Sequence, residues 1–157
     1  MILVTLGTHE QPFERALDMV SALEREHEPV VVQHGATPPR PSSPHVRWVA
    51  YLEWNDLTET MQKADAVVTH AGVGSTVTAM RAGKKPIMIP RLERFGEHVD
   101  DHQVQLADRF EQRDAALVCR PDSDLVELVE QARDSAPTVL GTRKRGLQRA
   151  LQLAVAA

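Results

Sequence analysis

The stretch Ala66 to Pro90, AVVTHAGVGSTVTAMRAGKKPIMIP, decides how the rest of the chain is read. Ala66-Val67-Val68-Thr69 is a short apolar run of the buried-strand kind. It stops at His70-Ala71-Gly72-Val73-Gly74-Ser75, a helical segment follows as far as Gly83, and Pro86 to Pro90 is a second apolar run. Strand, glycine turn, helix and strand make one βαβ unit, and its crossover makes the two strands parallel. Gly72 and Gly74 are read as residues free to take unusual backbone angles, with no side chain between main chain and ligand. Ser75 and Thr76 are expected to cap the helix. Its first N–H groups have no internal partner and sit at the positive end of the dipole, which suits a phosphate. GVGSTV lacks the third glycine of a dinucleotide fingerprint, and no Gly-Lys-Ser/Thr follows as in a P-loop. A tight turn that needs glycine for sterics alone is the other reading of a lone GxG.

Composition narrows the classes. The chain has 157 residues, 42% hydrophobic and 25% charged, with a net charge of −4, which suits one soluble globular domain. Acids and bases are mixed, so no nucleic-acid partner is expected. A single cysteine, Cys119, excludes an internal disulfide and fits a reducing compartment. No run approaches the ~20 apolar residues of a membrane span, and Met1 leads straight into a strand, so neither a transmembrane segment nor a signal peptide is expected. A cytoplasmic protein is the expectation.

Working outward, Ile2 to Leu6 reads as a strand ending at Gly7, and a helix is predicted from Phe13 through about Glu26. Pro29 to Gln33 and Val46 to Leu52 read as strands, separated by the proline-rich loop Ala36 to His45. A short helix is expected over Asp56 to Lys63, another from about Asp100 to Gln112, and a last strand over Ala115 to Cys119. Pro121-Asp122 is expected to open a helix, and a final helix spans about Thr138 to Val155. Alternating strands and helices predict an α/β fold, a doubly wound parallel sheet of Rossmann-like type, as one domain over residues 1–157.

In such a sheet the ligand lies beyond the carboxyl ends of the strands. The loops carrying Gly7-Thr8-His9-Glu10, His34-Gly35 and His70 to Ser75 share that edge, joined by the loop through Arg91, Glu97 and Gln103. Gln103 opens the apolar stripe Leu106, Ala107, Phe110, and so is placed toward the crevice. The alternative is a solvated first turn in which Asp100 and Asp101 suit the dipole. His98 and His102 are four apart, but no third ligand is evident, and no metal is expected.

These residues carry a resemblance. His70 to Ser75, Ala82-Gly83-Lys84-Lys85-Pro86 and Asp101-His102-Gln103 resemble the C-terminal, donor-binding domain of family 28 glycosyltransferases, enzymes of two-lobed GT-B architecture. Gly7 to Phe13, Pro90-Arg91 and Gly96 to Gln103 are similar to the soluble subunits of split transferases of bacterial exopolysaccharide synthesis. Those are relatives of the soluble subunit of the eukaryotic dolichol-linked N-acetylglucosamine transferase. The likeness runs from Met1 to about Cys119.

The resemblance implies a UDP-sugar as substrate and no cofactor. Gly72, Val73, Gly74, Ser75 and Thr76 would hold the diphosphate through backbone N–H groups, and Asp101 and Gln103 would touch the sugar. Gly7, Thr8, His70, Arg91, Glu97, His98 and His102 complete the expected donor site. Many relatives have a glutamate for the ribose where this chain has Thr78, and Glu97 is a candidate substitute. Metal-independent transfer with inversion is implied, with His9 or Glu10, or a partner residue, as base. The acceptor lobe would come from a membrane-associated partner subunit carrying a lipid-linked acceptor, placing this chain at the inner face of the plasma membrane. Arg143, Lys144, Arg145 and Arg149 of the last helix are either a solvated basic face or a contact with that partner or with anionic lipid. A non-catalytic nucleotide-sugar-binding module is the alternative function. A hydrolysing epimerase ranks low because it needs two lobes in one chain.

Overall fold

Continuous Val/Ile/Leu runs bounded by glycine or proline have nowhere to go but the middle of a sheet covered on both faces. The computed structural model, which describes residues 1–41 and 43–135, shows such a sheet. Its strands are β1 (Ile2–Thr5), β2 (Val30–Gln33), β3 (Val46–Val49), β4 (Ala66–His70), β5 (Ile87–Ile89) and β6 (Leu117–Val118). All pairings are parallel, in the order β3-β2-β1-β4-β5-β6. The helices are α1 (Glu14–Val20), α2 (Trp54–Lys63), α3 (Val73–Arg81), α4 (His102–Glu111) and α5 (Leu125–Asp134).

Successive strand residues point to opposite faces. Ile2, Val4, Val32 and Val68 pack with Leu17 and Val20 of α1 and Leu125 and Val129 of α5. Leu3, Val31 and Val67 pack on the other face with Met61 of α2 and Ala79 of α3. Met88 and Val118 continue that second layer against Met80, Leu106, Ala107 and Phe110. The doubly wound sheet is therefore as the sequence predicts, and so is the buried stripe of α4.

Strand order reverses between β1 and β4. Their register pairs Thr5 with Gln33 on one side and Thr69 on the other. The loops after β1, β2 and β4 consequently leave the sheet side by side, and this is where a ligand crevice forms in such folds.

Several boundaries differ from the sequence reading. The first helix stops at Val20, where the Ser21 hydroxyl bonds the Leu17 carbonyl (3.0 Å), a back-bond that competes with the helical ladder. A 3-10 turn, Leu23–Glu26, then ends at His27 in the left-handed region (φ 57°). β3 ends at Val49 rather than Leu52, because the Ala50 carbonyl turns to accept Gly35 N–H (3.0 Å) and Gln33 Nε2 (3.1 Å). The helix expected from Pro121 starts at Leu125, capped by Asp124, whose carboxylate accepts from Val126 N–H at 2.8 Å. The helix expected over 138–157 lies outside the described residues.

Candidate functional site

Helix α3 begins with Gly72 as its N-cap, in extended geometry (φ −84°, ψ 135°), and no side chain caps it. Ser75 and Thr76, expected as caps, instead lie inside the first turn, with Thr76 fully buried. The Gly72 N–H bonds the His70 carbonyl (2.7 Å) and the Thr76 N–H bonds Gly72 (3.1 Å). Between them the amides of Val73, Gly74 and Ser75 meet no acceptor among the described residues. Three unpaired donors at the positive end of a helix form an anion seat.

The glycines do different work from that expected. Neither Gly72 nor Gly74 has a positive φ; Gly7 does (φ +77°). A Cβ on Gly72 would lie 2.2 Å from His70 Nε2, and one on Gly7 would lie 2.6 Å from His70 Cε1. The ring of His70 is thus clamped between the first loop and the start of α3. Only Gly74 matches the expectation of open space, with nothing within 4 Å of its would-be Cβ.

Burial, reinforced by the nearby Arg91 cation, pushes the His70 imidazole down to about 4, so it is neutral at pH 7. Its Nδ1 lies 3.4 Å from the Thr5 carbonyl, which can only accept, so the proton sits on Nδ1. Gln33, also buried, ties the neighbouring loops together through Nε2, which donates to the carbonyls of Gly7 (2.9 Å) and Ala50 (3.1 Å).

Arg91 and Glu97, both expected at the donor, are instead taken up by the protein. Arg91 is 1% exposed. Its guanidinium donates to the carbonyls of Gln11 (2.8 Å), Glu97 (3.0 Å) and Leu6 (3.4 Å) and lies 4.5 Å over the Phe13 ring. Glu97 is gripped by Arg15 through Nε (2.9 Å) and Nη2 (2.8 Å) and accepts the Leu92 N–H (2.9 Å). That carboxylate is not free for a ribose. Thr78 is not either, since it is buried and its hydroxyl bonds the Gly74 carbonyl (2.7 Å). The pair Arg91 and Glu97 therefore shapes the site by locking the loop after β1 to the loop after β5.

His9 packs on His98, with ring centroids 4.9 Å apart. Desolvation, then Arg91 and His98, lower the pKa of His9. Its Nδ1 accepts the Gln11 N–H (3.3 Å), which leaves Nε2 carrying the proton in the neutral ring. Glu10 and Thr8 are exposed. Across the crevice, Asp100 touches two imidazoles: its Oδ2 lies 2.6 Å from His102 Nδ1, and its own N–H donates to His98 Nδ1 (3.3 Å). It also accepts the His102 N–H (3.1 Å), and this bond is the leading cause of its lowered pKa. Asp101 accepts the Glu93 N–H (3.0 Å). Gln103 accepts the Arg91 N–H (3.1 Å) through Oε1, leaving its amide hydrogens for the crevice.

Two cavities flank the start of α3. One, of about 240 Å³, is lined by Thr8, His70, Gly74 and Ser75 and by an apolar wall of Tyr51, Leu52 and Leu57. The other, of about 320 Å³, is lined by Gly72, Val73, His98, His102, Gln103 and Arg109. The apolar wall and Arg109 were not anticipated. Tyr51 and Leu52 read as the tail of a strand, and Arg109 sits in a helix otherwise read for its apolar stripe. Among the described residues no group of three or more His, Cys, Asp or Glu is placed to hold a metal ion, and no helix is long and apolar enough to cross a membrane.

A wholly parallel sheet with an open helix end at its order reversal is a doubly wound, Rossmann-like fold, of the kind found in a lobe of GT-B glycosyltransferases. Solved structures agree. The chain superposes on the glycosyltransferase SnogD from Streptomyces nogalater with a TM-score of 0.65 at 19% identity, over 98% of this chain and 39% of that one. CalG4, the calicheamicin glycosyltransferase, gives a TM-score of 0.56 at 17% identity, over 98% and 37%. The chain belongs to the family of the glycosyltransferase family 28 C-terminal domain, whose model matches residues 1–154. It is also 32% identical, over 76 residues, to the UDP-N-acetylglucosamine transferase subunit ALG13 of Yarrowia lipolytica, a match covering 48% of this chain and 36% of that protein. The chain thus spans well under half the length of the relatives it matches.

Proposed function

We propose that this chain is the donor-binding subunit of a two-component, metal-independent, inverting glycosyltransferase that uses a UDP-sugar. The observation that carries this reading is the uncapped first turn of α3, with Val73, Gly74 and Ser75 N–H groups unpaired between two cavities. Loss of a sugar from a nucleotide leaves charge on the departing diphosphate. Fixed amide donors stabilise that charge without reorganising and without a metal. The apolar wall of Tyr51, Leu52 and Leu57 suits the flat base, and the cavity toward Gln103 and His102 suits the sugar.

The word "subunit" in the name of the ALG13 relative supports a partner. On this reading a membrane-associated protein supplies the acceptor lobe and presents a lipid-linked sugar of exopolysaccharide synthesis, and this chain works at the cytoplasmic face of the plasma membrane through it. The base that takes the acceptor proton is His9, Glu10 or a partner residue. Exposed Glu10 is open to an acceptor, whereas the tautomer of His9 presents a donor at Nε2. The alternative, a module that only holds the nucleotide sugar, is separated by replacing His9 and Glu10 with alanine in the reconstituted pair; retained transfer favours it. Titration of the purified chain with UDP, ADP and GDP tests the donor site itself. UDP is expected to bind in preference to the other two, and an equal, negligible response to all three contradicts the assignment.

A further inference from the structure

The cavity between α3 and α4 has one side chain of fixed charge in its lining, Arg109. Gly72 and Val73 bring backbone, Gln103 and Gln105 bring amides, His98 and His102 bring imidazoles, Leu106 brings apolar surface, and Arg109 brings a guanidinium. No carboxylate lines it. The carboxylates nearby are engaged elsewhere: Asp100 on the ring and N–H of His102, Asp101 on the Glu93 N–H, Asp108 and Glu111 on Arg120. Arg109, like Arg47, Arg81, Arg94 and Arg113, forms no ion pair among the described residues, but it is the arginine that lines this cavity. Side chains on a helix lean toward its N-terminus, so Arg109 reaches back along α4 toward the crevice.

A neutral hexose is ordinarily gripped by acceptors as well as donors, because its hydroxyls offer hydrogens. Gln105 and the Nε2 of His102 can meet such hydroxyls, but a neutral ring has no anion to pair with the guanidinium of Arg109. We propose that this cavity selects a donor whose sugar carries a carboxylate, a UDP-hexuronic acid, with Arg109 as its counter-ion. The proposal rests on the donor-site reading above and specifies its sugar. The diphosphate takes the amides of α3, the sugar ring lies against Gln103, and the uronate carboxylate meets the guanidinium in the paired, charge-assisted geometry that arginine offers.

The test is calorimetric or ligand-observed NMR titration of the purified chain with UDP, UDP-glucose and UDP-glucuronic acid at one ionic strength, in wild type, Arg109→Gln and Arg109→Lys. UDP-glucuronic acid is expected to bind about tenfold more tightly than UDP-glucose, the scale of one hydrogen bond to a charged group. Arg109→Gln is expected to abolish that preference while leaving UDP affinity unchanged, with Arg109→Lys between the two. Equal affinity for the two sugars in the wild type overturns the proposal. So does an Arg109→Gln protein that loses UDP as strongly as UDP-glucuronic acid, which makes Arg109 a diphosphate contact. Failure of UDP itself to bind wild type removes the donor-site reading, and the proposal with it.

Discussion

Gly72 and Gly74 lie two positions apart and answer to different physics. At Gly72 a methyl group meets the His70 ring at 2.2 Å, so Gly72→Ala forces a clamped imidazole to move. A loss of about 2 kcal/mol in urea unfolding is expected, the usual cost of overpacking a tight site. At Gly74 there is open space, and a side chain there occupies only the anion's approach. Gly74→Val is expected to abolish UDP binding with unfolding free energy within about 1 kcal/mol of wild type; loss of both together would show that the position is structural. His70 also makes stability depend on pH. Its folded pKa of about 4 lies below the ordinary imidazole value of 6.5, so the unfolded chain binds the extra proton as pH falls. The stabilisation is complete above about pH 6.5 and disappears as the pH drops through that window toward 4, amounting to roughly 2 kcal/mol by pH 5. Depression of His9 acts in the same direction. Chemical denaturation at pH 7 and pH 5 measures this, and His70→Gln should flatten most of the difference.

The loop joining β5 to α4 is held by the pairing of Glu97 with Arg15, both nearly buried. Glu97→Gln leaves a cation with half a partner and is expected to cost about 3 kcal/mol, in line with broken buried ion pairs. Thermal unfolding reads it, and UDP affinity should fall through displacement of the Arg91 loop. The sequence announces the strands because their apolar runs are long and glycine-bounded, and it announces the open end of α3 because helices leave their first amides unpaired by construction. It conceals whatever depends on side-chain traffic between distant segments. Glu97 and Arg91 look like ligand contacts in a list of polar loop residues, and only the fold shows that Arg15, from α1, has taken one of them. Tyr51 and Leu52 fall outside β3 because Gln33, a residue of the neighbouring strand, bonds the Ala50 carbonyl. Single-chain periodicity has no access to either fact.

The sheet gathers every polar loop of interest at one end, and exposed Tyr51, Phe95 and Val99, on the loops after β3 and β5, and Trp54, which opens α2, lie at that same end. An acceptor lobe closing over this edge would cover them, as the two-component reading requires, and would exclude water from the diphosphate as transfer begins. The chain alone is accordingly expected to bind UDP-sugar weakly and to transfer it poorly; rapid turnover of a simple acceptor by the purified chain would contradict this. The most direct measurement follows the amide resonances of Val73, Gly74 and Ser75 by ¹⁵N–¹H NMR during titration with UDP. The account predicts that these three shift together, saturate with one affinity, and lead every other backbone amide in amplitude. If UDP binds and they stay still while amides elsewhere move, the seat of the diphosphate is not the start of α3.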